Sequence, residues 1–419
     1  MSDSQQGMHQ AGRVEQAGQP DQSSQVEQAT QPAQSNQSSL TDRSNPPSPS
    51  GQADGGKKKF GGKGAKVYIL CGVVSTFVLC SLLTDVVCAI FGLLLDLPIG
   101  LLNRLLFTSA LGADGVSLLN EYAAFFGIAL SFLLILYLVK AWRPYLKAYG
   151  TGPSGNRVSM LALGLLIGFV MNGVSILAAV LSGSVQLDFV QFNIIGFVLF
   201  LVFIFVQAST EEIICRGFAY QRLKRTYGTA VAIIGSSLIF SLAHIMNPGV
   251  TPLALLDIFL TGVLYALMVR YCDSIWMAMG AHTAWNLTQN ILFGLPNSGM
   301  ASSYSFFGLA GQTTNGFAYD TAFGVEGTIF AVAVNALCAL ALFIWGRSHG
   351  KKKDFDIWQG SRQEASQQEF AVANGVAGAD GFANGAQAAR MESGSNVSAD
   401  AASGSPASQV KAPKKHWFY

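Results

Sequence analysis

Charge is scarce along most of this sequence. Of its 419 residues only 12% are Asp, Glu, Lys or Arg, 50% are hydrophobic, and the mean hydropathy is +0.37. A soluble globular chain carries roughly a quarter charged residues, so a soluble fold is excluded. The scarcity is also uneven. Residues 1–66 hold 7 Lys/Arg and 6 Asp/Glu, residues 347–419 hold 9 and 7, and the 280 residues between keep only 10 and 11. With a net charge of +2 and basic residues set beside apolar runs instead of gathered in a patch, no nucleic-acid partner is expected. The six cysteines, Cys71, Cys80, Cys88, Cys215, Cys272 and Cys338, include no CxxC pair and no zinc-type spacing, and read as small buried hydrophobes. HExxH is absent. No secretory signal peptide is expected, because the first apolar run begins at Val67, too far in and too long for one.

What is present is a series of apolar runs, each near the ~20 residues a bilayer core requires. Eight candidate spans are expected at about 67–95, 121–139, 158–181, 194–214, 229–247, 252–269, 274–293 and 328–346. The expected organisation is therefore an all-α polytopic membrane domain over 67–346. It is flanked by a Gln/Ser-rich tail, 1–66, and an Ala/Gly/Ser-rich tail, 347–419, both expected to be disordered. Lysines within 57–66 place the N-terminus in the cytoplasm by the positive-inside rule. Alternation then puts 140–157, 216–225, 270–273 and 347–353 inside, and each contains Arg or Lys. The expected outside loops, 96–120, 182–193, 248–251 and 294–327, carry only Arg104. Both termini are thus expected to be cytoplasmic.

Ionisable groups at membrane depth cost ~2.5–3.5 kcal/mol each on insertion scales and mark functional sites by default. Three short motifs hold nearly all the misplaced polarity of 194–293: "ASTEEIICRGF" (208–218), "FSLAH" (240–244) and "HTAWN" (282–286). Residues four apart on a helix share a face, so Glu212 and Arg216 can pair, while Glu211 lies about 100° away and is free to point elsewhere. His282 and Asn286 likewise share a face, and Phe240 lies one turn from His244. Counting at 1.5 Å per residue from the cytoplasmic ends places Glu211 ~16–20 Å deep, His244 ~22 Å, His282 ~12 Å and Asn286 ~18 Å. A carboxylate, two imidazoles and an amide are thus expected in one cavity, open to the cytoplasm. Glu212–Arg216 also reads as a structural ion pair, Phe240 as packing, and Asp85 and Asp257 as structural. Gln289 and Asn290 are candidates for the cavity lining.

EExxxR (Glu211, Glu212, Arg216), FxxxH (Phe240, His244) and HxxxN (His282, Asn286), in this order on successive membrane helices, resemble the three motifs of the CPBP family. These are the CAAX proteases and bacteriocin-processing enzymes, also called the Abi intramembrane proteases. The resemblance covers roughly 158–293 and extends to the type II CAAX prenyl endopeptidases. It implies an intramembrane endopeptidase acting on a membrane-associated peptide or protein, either a CAAX-type tail or a leader-bearing, bacteriocin-type peptide. Glu211 would activate water with help from His244. His282 and Asn286 would stabilise the oxyanion, and Glu212 and Arg216 would support the geometry.

Metal dependence stays open at this stage. Glu211, His244 and His282 with a water would make a zinc set, whereas a glutamate-activated water without metal uses the same residues. The missing HExxH weighs slightly for the latter. The alternative outside enzymology is a membrane scaffold or a bacteriocin self-immunity protein, in which the same polar cluster serves packing or recognition. A small transporter would spread polarity along a through-path and often repeat internally; this chain does neither.

Overall fold

A computed structural model describes residues 63–87, 93–351, 355–358, 367 and 370. The expectations for 1–62 and most of 359–419 fall outside these residues, as do Cys88 and the side chain of Asp85. The described chain is an all-α polytopic membrane protein. Six segments are long and apolar enough to cross a bilayer: Lys66–Thr84, Leu97–Leu138, Val158–Leu181, Ile194–Tyr227, Pro252–Cys272 and Ile329–Ser348. In chain order the helices are α1 (Lys63–Val87), α2 (Leu93–Leu138), α3 (Val158–Leu181), α4 (Ile194–Glu212), α5 (Gln221–Tyr227), α6 (Thr229–Leu242), α7 (Pro252–Cys272), α8 (Ile275–Asn286) and α9 (Ile329–Ser348). Side-chain oxygens of Asn193, Thr251, Ser274 and Thr328 accept from backbone N–H groups in the first turns of α4, α7, α8 and α9, satisfying donors that a helix start leaves unpaired.

Three expectations about boundaries change. Residues 96–120, expected as an outside loop, are helical: α2 runs through them and breaks at Gly112, whose φ of 71° suits glycine. Asn103 donates to Asn120 Oδ1 at 2.8 Å, although 17 residues of straight helix would separate them by about 25 Å. The helix therefore doubles back at Gly112, and Pro98 is accommodated inside it. Next, the span expected at 229–247 stops at Leu242, so His244 lies in the turn that follows α6 and not within the helix. Lastly, described residues within the tail expected from 347 are packed against the bundle. Phe355 donates its N–H to Asp273 Oδ1 at 2.8 Å, and Ile357 is buried. Trp358 packs edge-on against Tyr145 beneath the Arg225 guanidinium. Aromatic and aliphatic side chains in "FDIW" supply the packing that a purely polar tail lacks.

At the opposite end of the bundle, β1 (Leu187–Phe189) pairs antiparallel with β2 (Phe307–Leu309), joining the α3–α4 connection to the long α8–α9 connection. The centre of the bundle is α8, of whose twelve residues all but Trp276 are buried. Burial on every side explains how it tolerates Thr, His and Asn: it meets protein, not lipid.

The main neighbour of α8 is α3, seated through glycine. A methyl group at Gly164 would overlap the Met277 carbonyl, one at Gly168 the Ala281 carbonyl, and one at Gly280 the Leu161 carbonyl. Small residues four apart let two backbones approach this closely in membranes. Gly168→Leu is expected to lower the thermal unfolding midpoint in detergent, since overpacking costs about 1–3 kcal/mol, and to abolish activity because α8 carries the site. Gly173→Leu on the same helix, with open space at its Cβ position, is the matched control and is expected to preserve the midpoint.

Candidate functional site

Both helices that carry the acidic and amide motifs change character where those motifs lie. α4 widens after Glu212 into a π-helical stretch, Ile213–Tyr220, before continuing as α5. α8 widens after Asn286 into a second, Leu287–Leu292. Such π segments rotate the side chains that follow them and recur at functional sites.

Glu212 and Arg216 are fully buried and paired, with Arg216 Nη1 2.9 Å from Glu212 Oε1. The guanidinium also donates to the Gly262 carbonyl of α7 at 3.0 Å and lies over the Phe240 ring at 4.4 Å and the Tyr265 ring at 5.4 Å. One arginine thus ties together α4, α6 and α7. Glu212 extends the linkage to α8, because His282 Nδ1 lies 3.2 Å from the same Oε1. A carboxylate beside a ring nitrogen fixes that nitrogen as the donor and sets the ring's orientation. The ring is further held edge-on by Phe240 and by tilted packing on Tyr265. Phe240, expected as packing, is a hub touching Arg216, His244 and His282.

Glu211 points the other way, as the 100° offset between neighbouring helical residues requires. Its Oε1 accepts from Gln207 Nε2 at 2.6 Å, whereas Oε2 is buried without a hydrogen-bond partner, 3.9 Å from His282 Nε2. Gln207 in turn accepts from Asn286 Nδ2 at 2.9 Å, so the Glu211 carboxylate and the Asn286 amide are positioned by one side chain. His244 is reached from the end of α6. Its Nδ1 lies 2.9 Å from the Phe240 carbonyl; a carbonyl only accepts, so Nδ1 carries the proton. In the neutral ring, Nε2 is then left as a lone-pair acceptor.

These groups face a cavity of about 550 Å³ lined by Glu211, His244, His282 and Asn286, with Gln207 and Asn290. Its far wall is α2, through Leu118, Glu121, Tyr122 and Phe125. Its loop residues, Asn297, Ser298, Met300 and Ala301, come from the α8–α9 connection. The structure therefore brings together all four residues singled out for chemistry.

Residues 193–288 match the family model described as Rce1-like, type II CAAX prenyl endopeptidase. No curated protein and no solved structure matches the chain. The chain carries a CAAX-protease-family domain.

The site also contains functional candidates that sequence spacing did not single out. Gln207 lies one helical turn before Glu211, and the same i,i+4 rule applied upstream of the EE pair finds it. Tyr265 and Gly262 on α7 carry no such signal; only packing places them at Arg216. Glu326, just before α9, accepts from Trp285 Nε1 at 2.7 Å and from the Ser298 hydroxyl at 2.9 Å, and also from the Ser298 N–H. It thereby anchors the cavity's loop wall to the residue preceding Asn286. Burial raises the Glu326 carboxyl above its ordinary range, opposed by those hydrogen bonds and by His244 nearby. Of the two residues expected as further lining, Asn290 lines the cavity and accepts from the Tyr122 hydroxyl at 3.1 Å. Gln289 turns away to pair with Asn172 of α3. Asp257 is buried against Asn335 of α9.

The donor set also permits a test of the zinc reading. Among the described residues no three His, Cys, Asp or Glu side chains form a group able to hold a metal ion. In the domain as folded, His282 directs Nδ1 to Glu212, leaving Nε2 alone to face Glu211. As placed, Glu211, His244 and His282 do not converge into a metal-holding group, and no step below is routed through a metal.

Proposed function

We propose that the CAAX-protease-family domain hydrolyses a peptide bond of a membrane-associated peptide or protein with a water activated by Glu211, without an obligatory metal. The observation that carries the reading is the free Oε2 of Glu211. One carboxylate oxygen is held by Gln207, the other is buried without a hydrogen-bond partner 3.9 Å from His282 Nε2, and the residue lines a cavity with His244, His282 and Asn286. Glu211 accepts a proton from water while the water oxygen bonds to the scissile carbonyl carbon, and His244 Nε2 supplies a second acceptor to orient that water. The charge developing on the carbonyl oxygen is met by the second Asn286 amide hydrogen and by His282, whose Nε2 donates in the imidazolium form balanced by Glu212. Glu211 then passes its proton to the nitrogen as the C–N bond breaks.

Donors aimed at an oxyanion are worth about 10²–10³ in kcat each. Asn286→Ala is therefore expected to lose about that factor in cleavage of a membrane-embedded reporter peptide, with protein level unchanged; full activity would remove Asn286 from the mechanism. For the metal-free reading, purified protein is expected to contain substoichiometric zinc by elemental analysis and to keep its activity after chelation. Stoichiometric zinc lost in both Glu211→Ala and His244→Ala would overturn it.

Both termini in the cytoplasm is the orientation that the basic clusters support. The expectation that the cavity faces the cytoplasm pulls against it, because the loop wall 297–301 belongs to a segment the same charge pattern puts outside. Single-cysteine labelling separates them in a background with the six native cysteines replaced. Ala301→Cys is expected to react with a membrane-impermeant maleimide on intact cells, and Lys147→Cys only after lysis. The reverse pattern would invert the domain and give the cavity's loop wall a cytoplasmic face.

A further inference from the structure

Resting on the proteolytic reading above, we infer that the cavity selects a peptide bearing a cationic group near the cleaved bond, a lysine or arginine side chain or a free amine, and that Glu121 binds it. Glu121 is an exposed carboxylate on α2, within the apolar stretch Leu97–Leu138 and nine residues beyond the break at Gly112. It lines the cavity with Glu211. Among the described residues it has no hydrogen-bond or ion-pair partner, and no lysine or arginine lines the cavity. An ionisable side chain held in an apolar helix is costly unless something pairs with it, and here the protein supplies nothing.

The rest of the lining points to the same ligand chemistry. Asn297 is only 8% exposed, and its Oδ1 is buried without a hydrogen-bond partner at the cavity wall. Glu211 Oε2 is likewise unpartnered, and the bond from His244 to the Phe240 carbonyl leaves Nε2 as an acceptor. Many donors of the wall are already engaged: Asn286 to Gln207, Tyr122 to Asn290, and Asn247 to the Ser298 carbonyl. A cavity with two carboxylates and no lysine or arginine, whose one imidazolium, His282, is already balanced by Glu212, is complementary at Glu121 to an ammonium or guanidinium. The unpaired charge of Glu121 is negative, so the element it recognises is a basic position of the peptide.

The test uses the full chain in proteoliposomes with a set of apolar peptides that differ at one position near the cleavage site, bearing lysine, norleucine or glutamate. Wild-type protein is expected to cleave the lysine peptide with kcat/KM about tenfold above norleucine, with glutamate lowest. In Glu121→Gln the lysine-to-norleucine ratio is expected to fall to about one, and in Glu121→Lys the order is expected to invert in favour of glutamate. A wild-type ratio of one at every position, or a preference that survives Glu121→Gln, overturns the inference. Binding of a fluorescent form of the lysine peptide to Glu211→Gln protein keeps the inference separate from the catalytic reading. Binding tighter than that of the norleucine form, and lost on adding Glu121→Gln, supports a cation site even if no peptide is cleaved. Equal binding of the two forms overturns it even if cleavage occurs.

Discussion

Glu211→Gln is expected to lower cleavage by about 10²–10⁴-fold, the range a positioned general base contributes, while the protein still folds. The amide is nearly isosteric and still offers an oxygen to Gln207, so the tether at 2.6 Å can persist. What is lost is the buried second carboxylate oxygen, without a hydrogen-bond partner, that the proposed mechanism uses as proton acceptor. Comparative peptidomics of membranes from wild-type and Glu211→Gln cells reads the effect directly: substrate peptides accumulate uncut in the variant, and their cleavage products disappear. Unchanged peptide profiles together with an unchanged unfolding midpoint would sink the catalytic assignment and favour a scaffold or self-immunity role. Glu212→Gln is a different experiment, because Glu212 faces Arg216 and His282 and not the cavity; its loss is expected to disturb stability as well as rate.

Arg216→Ala is expected to be the most destabilising substitution in the domain. Arg216 and Glu212 are both fully buried, and removing one partner strands the other charge at a cost of about 3–5 kcal/mol. The Gly262 carbonyl also loses its donor, and the Phe240 and Tyr265 rings lose the cation packed on them. Thermal unfolding in detergent should show the midpoint falling sharply, or the protein failing to accumulate. The double variant Glu212→Gln with Arg216→Met is expected to recover part of the loss, because neither buried charge is then unpaired. A single Arg216→Ala variant with an unchanged midpoint would mean that the pair contributes nothing to the fold.

The double variant is not expected to recover activity. With Glu212 replaced by Gln, His282 Nδ1 keeps at most a neutral acceptor, and the ring loses the carboxylate that balances its cationic form. Recovery of stability without recovery of rate would separate the structural share of this linkage from its share in positioning the site.

Much of this was legible in the sequence because it depends on local periodicity. Apolar runs near twenty residues long have few alternatives to membrane helices, so the all-α architecture followed from composition. The opposite facing of Glu211 and Glu212 followed from the 100° step of a helix, and the Glu212–Arg216 pair from the i,i+4 rule. The same reasoning failed at 96–120, where Pro98 and Gly112 resemble loop punctuation but sit within a helix that folds back on itself. It also failed at His244, since apolar residues continue past Leu242 although the helix does not.

What the sequence determined by itself is the class of molecule, the helices, and which residue types at membrane depth need a reason to be there. Tertiary structure alone decided what those residues meet. Gly164, Gly168 and Gly280 bring α3 against α8, Gln207 couples Glu211 to Asn286, and Arg216 reaches across to the Gly262 carbonyl. Glu121 joins the same cavity from a helix some 90 residues earlier than Glu211. The physical reason is one of range. Helical spacing governs neighbours within a turn or two, whereas contacts between helices depend on how closely backbones can approach and on where each buried polar group finds its partner.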